Sequence, residues 1–322
     1  MSKGETEQAC PAAAGMRMDW ADLPAPVRRS VEDLLGAKVL TALSQPTGFS
    51  PGVASRLQLA DGRSVFVKAV GQVPNPQTPE LHREEARVLA CMPDGAPVAK
   101  LLGFCDDGEW VALVLEAVVG THPRLPWRRD ELSLVLTAIS QFQALLTPCP
   151  LPDLPTVVER HQTTFDGWRR LQADPAVRLD AWSRRNLERL AEREEHWHEG
   201  IGGETLLHCD LRADNLLLTE SGSVVFLDWP SACRGVAWFD PLGLAPSVAM
   251  QGGPEPEWLI EQHRSFRQAD PEVVTTLVVA VAGYFISRSL MPDPPGLPTL
   301  RAFQRAQGIP ALSWAKRRTG WD

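Results

Sequence analysis

Leu206–Pro230, LLHCDLRADNLLLTESGSVVFLDWP, holds two short apolar runs, Leu216–Leu218 and Val224–Leu227, separated by Glu220-Ser221-Gly222. Apolar runs on either side of a polar, glycine-containing turn predict a hairpin. Each predicted strand carries polar chemistry at one end. His208-Cys209-Asp210 precedes the first, with Asn215 on its threshold, and Asp228 follows the second. Two carboxylates and a carboxamide make a hard, oxygen-rich donor set, which suits Mg²⁺ and phosphate rather than zinc.

The order His-x-Asp-x-x-x-x-Asn, then a strand and Asp, matches the catalytic loop and metal aspartate of kinases. In this chain it closely resembles the small-molecule branch, the aminoglycoside phosphotransferase and choline-kinase-like family. The resemblance implies Asp210 as the catalytic carboxylate, Asn215 and Asp228 as magnesium ligands, and His208 as a brace for the loop. It also implies an α+β, bilobal protein-kinase-like fold. An antiparallel five-stranded sheet with one packed helix would form the N-lobe, and the C-lobe would be mainly helical. The competing reading is a surface hairpin whose polar residues merely face water. Four positions in register weigh against it.

Composition bounds the alternatives. With 322 residues the chain is long enough for about two domains. Its net charge of −8 argues against a nucleic-acid partner, because phosphate backbones need clustered Lys and Arg. The acidic balance suits a cationic substrate, and equally serves solubility. Six cysteines (Cys10, Cys91, Cys105, Cys149, Cys209 and Cys233) include no Cys-x-x-Cys pair. No disulfide framework or zinc site is therefore expected, and a reducing cytoplasm fits. No apolar run approaches the roughly 18 residues of a membrane span, and the first residues lack a signal-like apolar core. Residues up to about Arg17 read as a disordered tail.

The expected divisions are a tail over 1–20, a nucleotide-binding N-lobe over 21–117 and a C-lobe over 118–322. A helix, Val27–Leu35, opens the N-lobe and is closed by Gly36. From Val39 the period becomes two, predicting strands Val39–Leu43, Val53–Leu59 and Ser64–Val70, the last two joined at Asp61-Gly62. Gly48 and Gly52 in the intervening loop permit close backbone approach to phosphates. Lys68 matches the third-strand lysine that holds ATP phosphates in kinase-like folds. A half-buried lysine needs a partner. The helix Glu80–Cys91 offers Glu84 and Glu85, which point about 100° apart, and the Arg-Glu usual in the family selects Glu84. Strands Val98–Phe104 and Trp110–Leu115 complete the sheet. Glu116-Ala-Val118 falls where related kinases place the hinge, which holds adenine through backbone groups.

Beyond Gly120 the periodicity is helical: Asp130–Leu146, Leu154–Leu171, Leu179–Trp197, Leu242–Met250, Glu257–Phe266, Pro271–Ser289 and Leu297–Lys316. Asp240 precedes the fourth of these. It reads either as an N-cap or, by the resemblance, as an acceptor of hydrogen bonds from the catalytic-loop backbone. Arg212 either reaches the γ-phosphate or pairs with Asp214. Two features depart from the family. Cys209 replaces the usual glycine between His and Asp, and Asp228-Trp-Pro stands where protein kinases carry Asp-Phe-Gly.

The expected activity is ATP- and Mg²⁺-dependent phosphorylation of a small hydroxylated molecule by a monomer or homodimer. A catalytically degenerate ligand-binding fold and a magnesium-dependent phosphohydrolase are the alternatives. Between Asp240 and Glu261 the chain carries Asp240, Glu255, Glu257 and Glu261 but no Lys or Arg, which predicts an amine-bearing acceptor such as an amino sugar or aminoglycoside. Lys316-Arg-Arg318 argues the other way.

Overall fold

Alternating burial builds the amino-terminal half around a sheet with two covered faces. The computed structural model describes residues 17–45, 48, 49, 51–73 and 75–322. The first sixteen residues of the tail expected over 1–20, and Pro46, Thr47 and Ser50 of the glycine loop, lie outside them. The end of that tail is not loose, since Met18 N–H donates to Gly52 O and Trp20 is buried in the apolar core of the sheet. Five antiparallel strands, β1 (Val39–Ser44), β2 (Val53–Leu59), β3 (Ser64–Gly71), β4 (Leu101–Asp106) and β5 (Trp110–Glu116), pair in the order β1-β2-β3-β5-β4. Val65, Val67 and Ala69 of β3 join Ala112 and Val114 of β5 in one apolar cluster with Val27, Val31 and Leu35. Those three residues belong to helix α1 (Ala25–Leu35), which ends on Gly36 in a left-handed conformation. Val111, Leu113 and Leu115 face the other way. They pack with Ala86, Val88 and Leu89 of helix α2 (Thr78–Ala90) and merge into the core of the carboxy-terminal half. The sheet therefore has a helix on each face, one more than expected.

Lys68 alternates with Val67 and Ala69, so it leaves β3 on the α2 side, opposite Leu113 of β5. Period two places the lysine; nothing else is required.

The remainder is mainly helical: α3 (Arg129–Leu145), α4 (Val157–His161), α5 (Gly167–Ala173), α6 (Ala181–Arg185) and α7 (Leu187–Glu195) precede the hairpin region, and α8 (Phe239–Met250), α9 (Pro256–Gln262), α10 (Pro271–Ser289) and α11 (Leu300–Thr319) follow it. Two expected long helices are each broken in two. In Leu154–Leu171, Thr156 and Glu159 form a capping box that starts α4, and Gly167 starts α5 after a turn. In Leu179–Trp197, Asn186 turns its amide onto Trp182 O and separates α6 from α7. Helix α10 corrects the sequence expectation about apolar runs. Its 19 residues are long and apolar enough to cross a membrane by length and composition, and about two thirds of it is buried inside the protein.

Between the halves lie two small ladders, β6 (Thr205–Leu207) with β9 (Cys233–Gly235) and β7 (Leu216–Leu218) with β8 (Val224–Phe226). Phe226 N–H donates to Pro97 O at 2.8 Å, and Leu218 exchanges backbone hydrogen bonds with Thr121. The predicted hairpin is thus tied to the sheet on one side and to the chain leaving it on the other.

Candidate active site

The loop between β6 and β7 is held from below by two buried groups. Asp240, inside α8, accepts from the backbone N–H groups of His208 (2.9 Å) and Cys209 (2.8 Å). Of its two predicted roles this is the one realised; the N-cap of α8 is Trp238. His208 is fully buried. Its Nδ1 accepts from Asp210 N–H at 3.2 Å, so its Nε2 carries the proton donated to Leu227 O at 2.8 Å. Burial lowers the pKa of this imidazole, which fits a neutral strut between loop and hairpin. Trp229 packs against it, ring centroids 4.5 Å apart, and is itself fully buried. Anchored this way, and followed by Pro230, the segment after Asp228 has no freedom for a flipping switch.

Among the described residues, the non-glycine residues with left-handed backbone are Cys209 (φ +63°) and Asp228 (φ +69°). Such conformations cost about 1–3 kcal/mol each and persist only where their surroundings enforce them. Here they flank the hairpin and aim Asp210 and Asp228 at one cleft.

Lys68 Nζ lies 2.7 and 2.8 Å from the two carboxylate oxygens of Glu85 and 2.7 Å from Asp228 Oδ1. Glu85, not Glu84, is the partner, which corrects the choice made from the family pattern. Glu85 is almost wholly buried on the sheet-facing side of α2 and also accepts from Trp229 N–H at 3.4 Å. Glu84 sits one step round the helix and pairs with Arg87 at 3.3 Å. Burial alone would lower the Lys68 pKa, but Asp228 and Glu85 together raise it. Burial likewise opposes ionisation of Asp228, and Lys68 outweighs it, so that carboxyl is held below its usual range.

Asp210 is only partly covered, its side chain 36% exposed. Burial, reinforced by the neighbouring Asp228 and Asp214, pushes its pKa up to about 6 against the pull of Arg212. Arg212 bonds both Asp210 and Asp214, the latter at 3.0 and 3.1 Å. Asn215 donates through Nδ2 to Asp210 O at 2.8 Å and Asp210 Oδ2 at 3.3 Å. That leaves the Asn215 carboxamide oxygen and Asp228 Oδ2 as hard donors. One or two protein oxygens beside substrate phosphates are what Mg²⁺ takes, so these residues fit the ion.

Two cavities meet at this loop. The first, about 260 Å³, lies under the sheet and is lined by Gly48, Lys68, Glu85, Glu116, Val118, Asn215 and Asp228 among others. Gly48 (φ +94°) has the left-handed backbone that glycine alone adopts freely. The second, about 170 Å³, opens on the other side of Asp210 and Arg212 and is walled by Phe165, Phe239, Tyr284, Phe285 and Phe303. Phe49 borders both. It meets Phe303 edge-on at 5.2 Å, and the Arg212 guanidinium lies 5.4 and 5.9 Å from these two rings.

A family model described as the phosphotransferase enzyme family matches residues 48–274. The chain belongs to that family. This phosphotransferase is accordingly an enzyme with an alcohol group as acceptor. By structure it is similar to an aminoglycoside phosphotransferase from Alicyclobacillus acidocaldarius subsp. acidocaldarius (13% identity, 88% of this chain and 92% of that one, TM-score 0.56). A spectinomycin phosphotransferase, APH(9)-Ia, solved with ADP and spectinomycin, is comparably similar (12% identity, 90% and 98%, TM-score 0.55). So is the choline kinase LicA from Streptococcus pneumoniae (13% identity, 89% and 98%, TM-score 0.54). At these identities the likeness is one of fold. No curated protein matches the chain by sequence.

Of the acidic stretch predicted to face the acceptor, Asp240 does line the second cavity, its carboxylate taken by the His208 and Cys209 backbone, whereas the three glutamates do not. Glu257 is bonded to Arg318 at 2.6 Å and to Trp314 Nε1 at 2.7 Å, and Glu255 to Arg317 at 2.7 Å. Helix α11 returns some sixty positions later and neutralises α9, which pattern reading along the chain misses. None of Glu255, Glu257 and Glu261 lines the second cavity.

Sequence reading also missed Arg56, which donates to Val118 O at 2.7 Å and so braces the segment expected to be the hinge, and Phe49 and Phe303. The phenylalanines carry no motif. Only the meeting of the glycine loop with α11 gives them a place.

Proposed function

We propose that this phosphotransferase moves the γ-phosphate of ATP, with Mg²⁺, onto a hydroxyl of a compact small molecule in the aromatic cavity. The observation that carries this is the position of Asp210. It lines the ring-walled cavity, and its hydrogen-bond partner Asn215 lines the charged one, so the loop links the two.

Lys68, held by Glu85, would bind the phosphates. Asn215 and Asp228 would hold Mg²⁺, which supplies charge neutralisation on them when bound. Asp210, with its raised pKa, would orient the acceptor hydroxyl and take its proton; general bases work best with a pKa near the working pH. For Asp210 to do so, Arg212 must give up its contact with it, and the γ-phosphate is the anion that would draw the guanidinium away. His208 and Asp240 keep the loop rigid. Phosphoryl transfer asks a protein for little beyond such positioning and charge compensation.

The amine expected on the acceptor would be held by ring faces through cation–π contact, rather than by carboxylates. Rings of this kind accommodate one ammonium group and an apolar body. A polycationic aminoglycoside would find too few anions. The reading therefore favours a compact acceptor with at most one positive charge.

Monitoring ADP formation with amino alcohols, amino sugars, hydroxylated ring compounds and aminoglycosides tests it. ADP release that depends on a compact acceptor supports the proposal. Phosphate release without acceptor points to hydrolysis, and nucleotide binding without turnover points to a ligand-binding fold.

A further inference from the structure

The residue beside Asp210 belongs to a second chemical cluster, one that phosphoryl transfer leaves unused. Cys209 Sγ and Cys233 Sγ lie 3.0 Å apart. An imidazole nitrogen of His161 joins them, all three ligand atoms falling within 4.8 Å of one another. The three come from separate elements: His161 ends α4, Cys209 sits in the catalytic loop, and Cys233 opens β9 opposite Leu207. A second observation concerns His161 alone. Its Nε2 is buried and has no hydrogen-bond partner among the described residues, and an unpaired polar atom in the interior is costly. The ring is fixed between Phe165 and Phe239, with centroids 5.2 and 5.4 Å away.

We propose that His161, Cys209 and Cys233 form a binding site for a thiophilic divalent cation of the zinc class, separate from the magnesium site. Two sulfurs and one imidazole are a soft set, which selects zinc over magnesium. Thiolates on a tetrahedral zinc stand about 3.7 Å apart at Zn–S bonds of ~2.3 Å. The observed sulfurs need open by less than an ångström, and both thiol protons leave to solvent as the ion binds. Burial also bears on the reactivity of the cluster. It holds the Cys209 thiol well above its ordinary pKa, so the free thiol is a poor nucleophile, whereas a metal replaces the proton outright. Three protein ligands leave a fourth position. His161 and Cys209 both line the aromatic cavity, so that position opens towards the acceptor, and a bound ion narrows the acceptor side while leaving the nucleotide side alone. The glycine usual before the catalytic aspartate could ligate nothing; Cys209 makes the site possible.

Co²⁺ serves as the probe, added to the whole chain with its thiols reduced, in the absence of oxygen and in the presence of excess Mg²⁺. One equivalent should bind, giving the sulfur-to-metal absorption and visible bands of a tetrahedral ion, and Zn²⁺ should bleach both. Cys233→Ser and His161→Ala should each weaken binding at least about tenfold, since even outer-shell losses cost that much. Replacement of cysteines outside the cluster, as in a Cys10→Ser/Cys91→Ser chain, should leave the spectrum unchanged. Should the site variants fail to fold, the Cys10→Ser/Cys91→Ser chain still decides. Loss of the spectrum there, or no tetrahedral spectrum in the reduced wild-type chain, overturns the proposal. So does full binding by Cys233→Ser. Because binding is read by absorption, the result stands whether or not an acceptor has been found.

Discussion

In the proposed reading, the nucleotide cavity is lined by compensated charges, whereas the acceptor cavity is lined by rings. Lys68, Glu85, Asp228 and Asp214 are each paired within the site, Asp214 with Arg212 of the second cavity. The phenylalanine and tyrosine rings of the second cavity present faces and edges, and its carboxylates, Asp210 and Asp240, are both paired. Charges fixed by hydrogen bonds can meet a triphosphate and its cation in a defined geometry. Rings impose shape and tolerate variation in what they hold. On that reading, chemistry and specificity are built from different materials around one loop.

Breaking the charged side should have the largest effect. Asp228→Ala should reduce turnover by more than about 10³-fold, because it removes both a metal oxygen and a Lys68 partner. Circular dichroism and melting should show the fold retained; activity within about tenfold of wild type at saturating Mg²⁺ would remove Asp228 from the site.

A finer break separates neighbours on α2. Glu85→Gln should raise the KM for ATP or lower kcat by about 10–100-fold, the usual scale for a supporting partner. Glu84→Gln should change neither, since Glu84 only meets Arg87 on a partly exposed face. Equal effects would show that α2 turns differently from the arrangement described.

On the ring side the effects should be smaller and confined to the acceptor. Tyr284→Leu keeps bulk but loses the ring, and should raise the acceptor KM by about tenfold, 1.4 kcal/mol, with that of ATP unchanged. Glu257→Lys should leave both constants alone, because Glu257 is spent on Arg318 and Trp314. A Glu257 effect on the acceptor alone would restore the carboxylate account of specificity.

The slightest change is one of pH. Asp210 must be ionised to accept a proton, and its pKa stands at about 6. Acceptor kcat/KM should therefore climb as pH rises through 6 and then level off. Arg212→Ala removes the cation that opposes the shift, so the midpoint should move upward. A profile that is flat from pH 4 to 7 contradicts the role given to Asp210.

These contrasts also explain what could be read along the chain. Asp210, Asn215 and Asp228 lie on one hairpin, where spacing alone sets their relation, and strand periodicity sets the side on which Lys68 emerges. Glu84 and Glu85 differ by one helical step, and family habit pointed to the wrong one; burial on the sheet-facing side of α2 decides it. Phe165 comes from a turn more than a hundred positions before Tyr284 of α10 and Phe303 of α11, and no local pattern brings them together. The pairing of Glu255 and Glu257 with α11 is a long-range event of the same kind, which is why an acidic stretch looked free. Asn186 and the Thr156 capping box broke helices whose apolar spacing ran on uninterrupted.

The central claim is that Asp210 acts on the acceptor and not on the nucleotide. Measuring nucleotide affinity and single-turnover transfer together in Asp210→Asn tests it most directly. The account predicts ATP binding within a few-fold of wild type and transfer slowed by about 10²–10⁴-fold, the range of a lost general base. Near-normal transfer accompanied by a large loss of ATP affinity would contradict it, and would place Asp210 on the nucleotide side of the cleft.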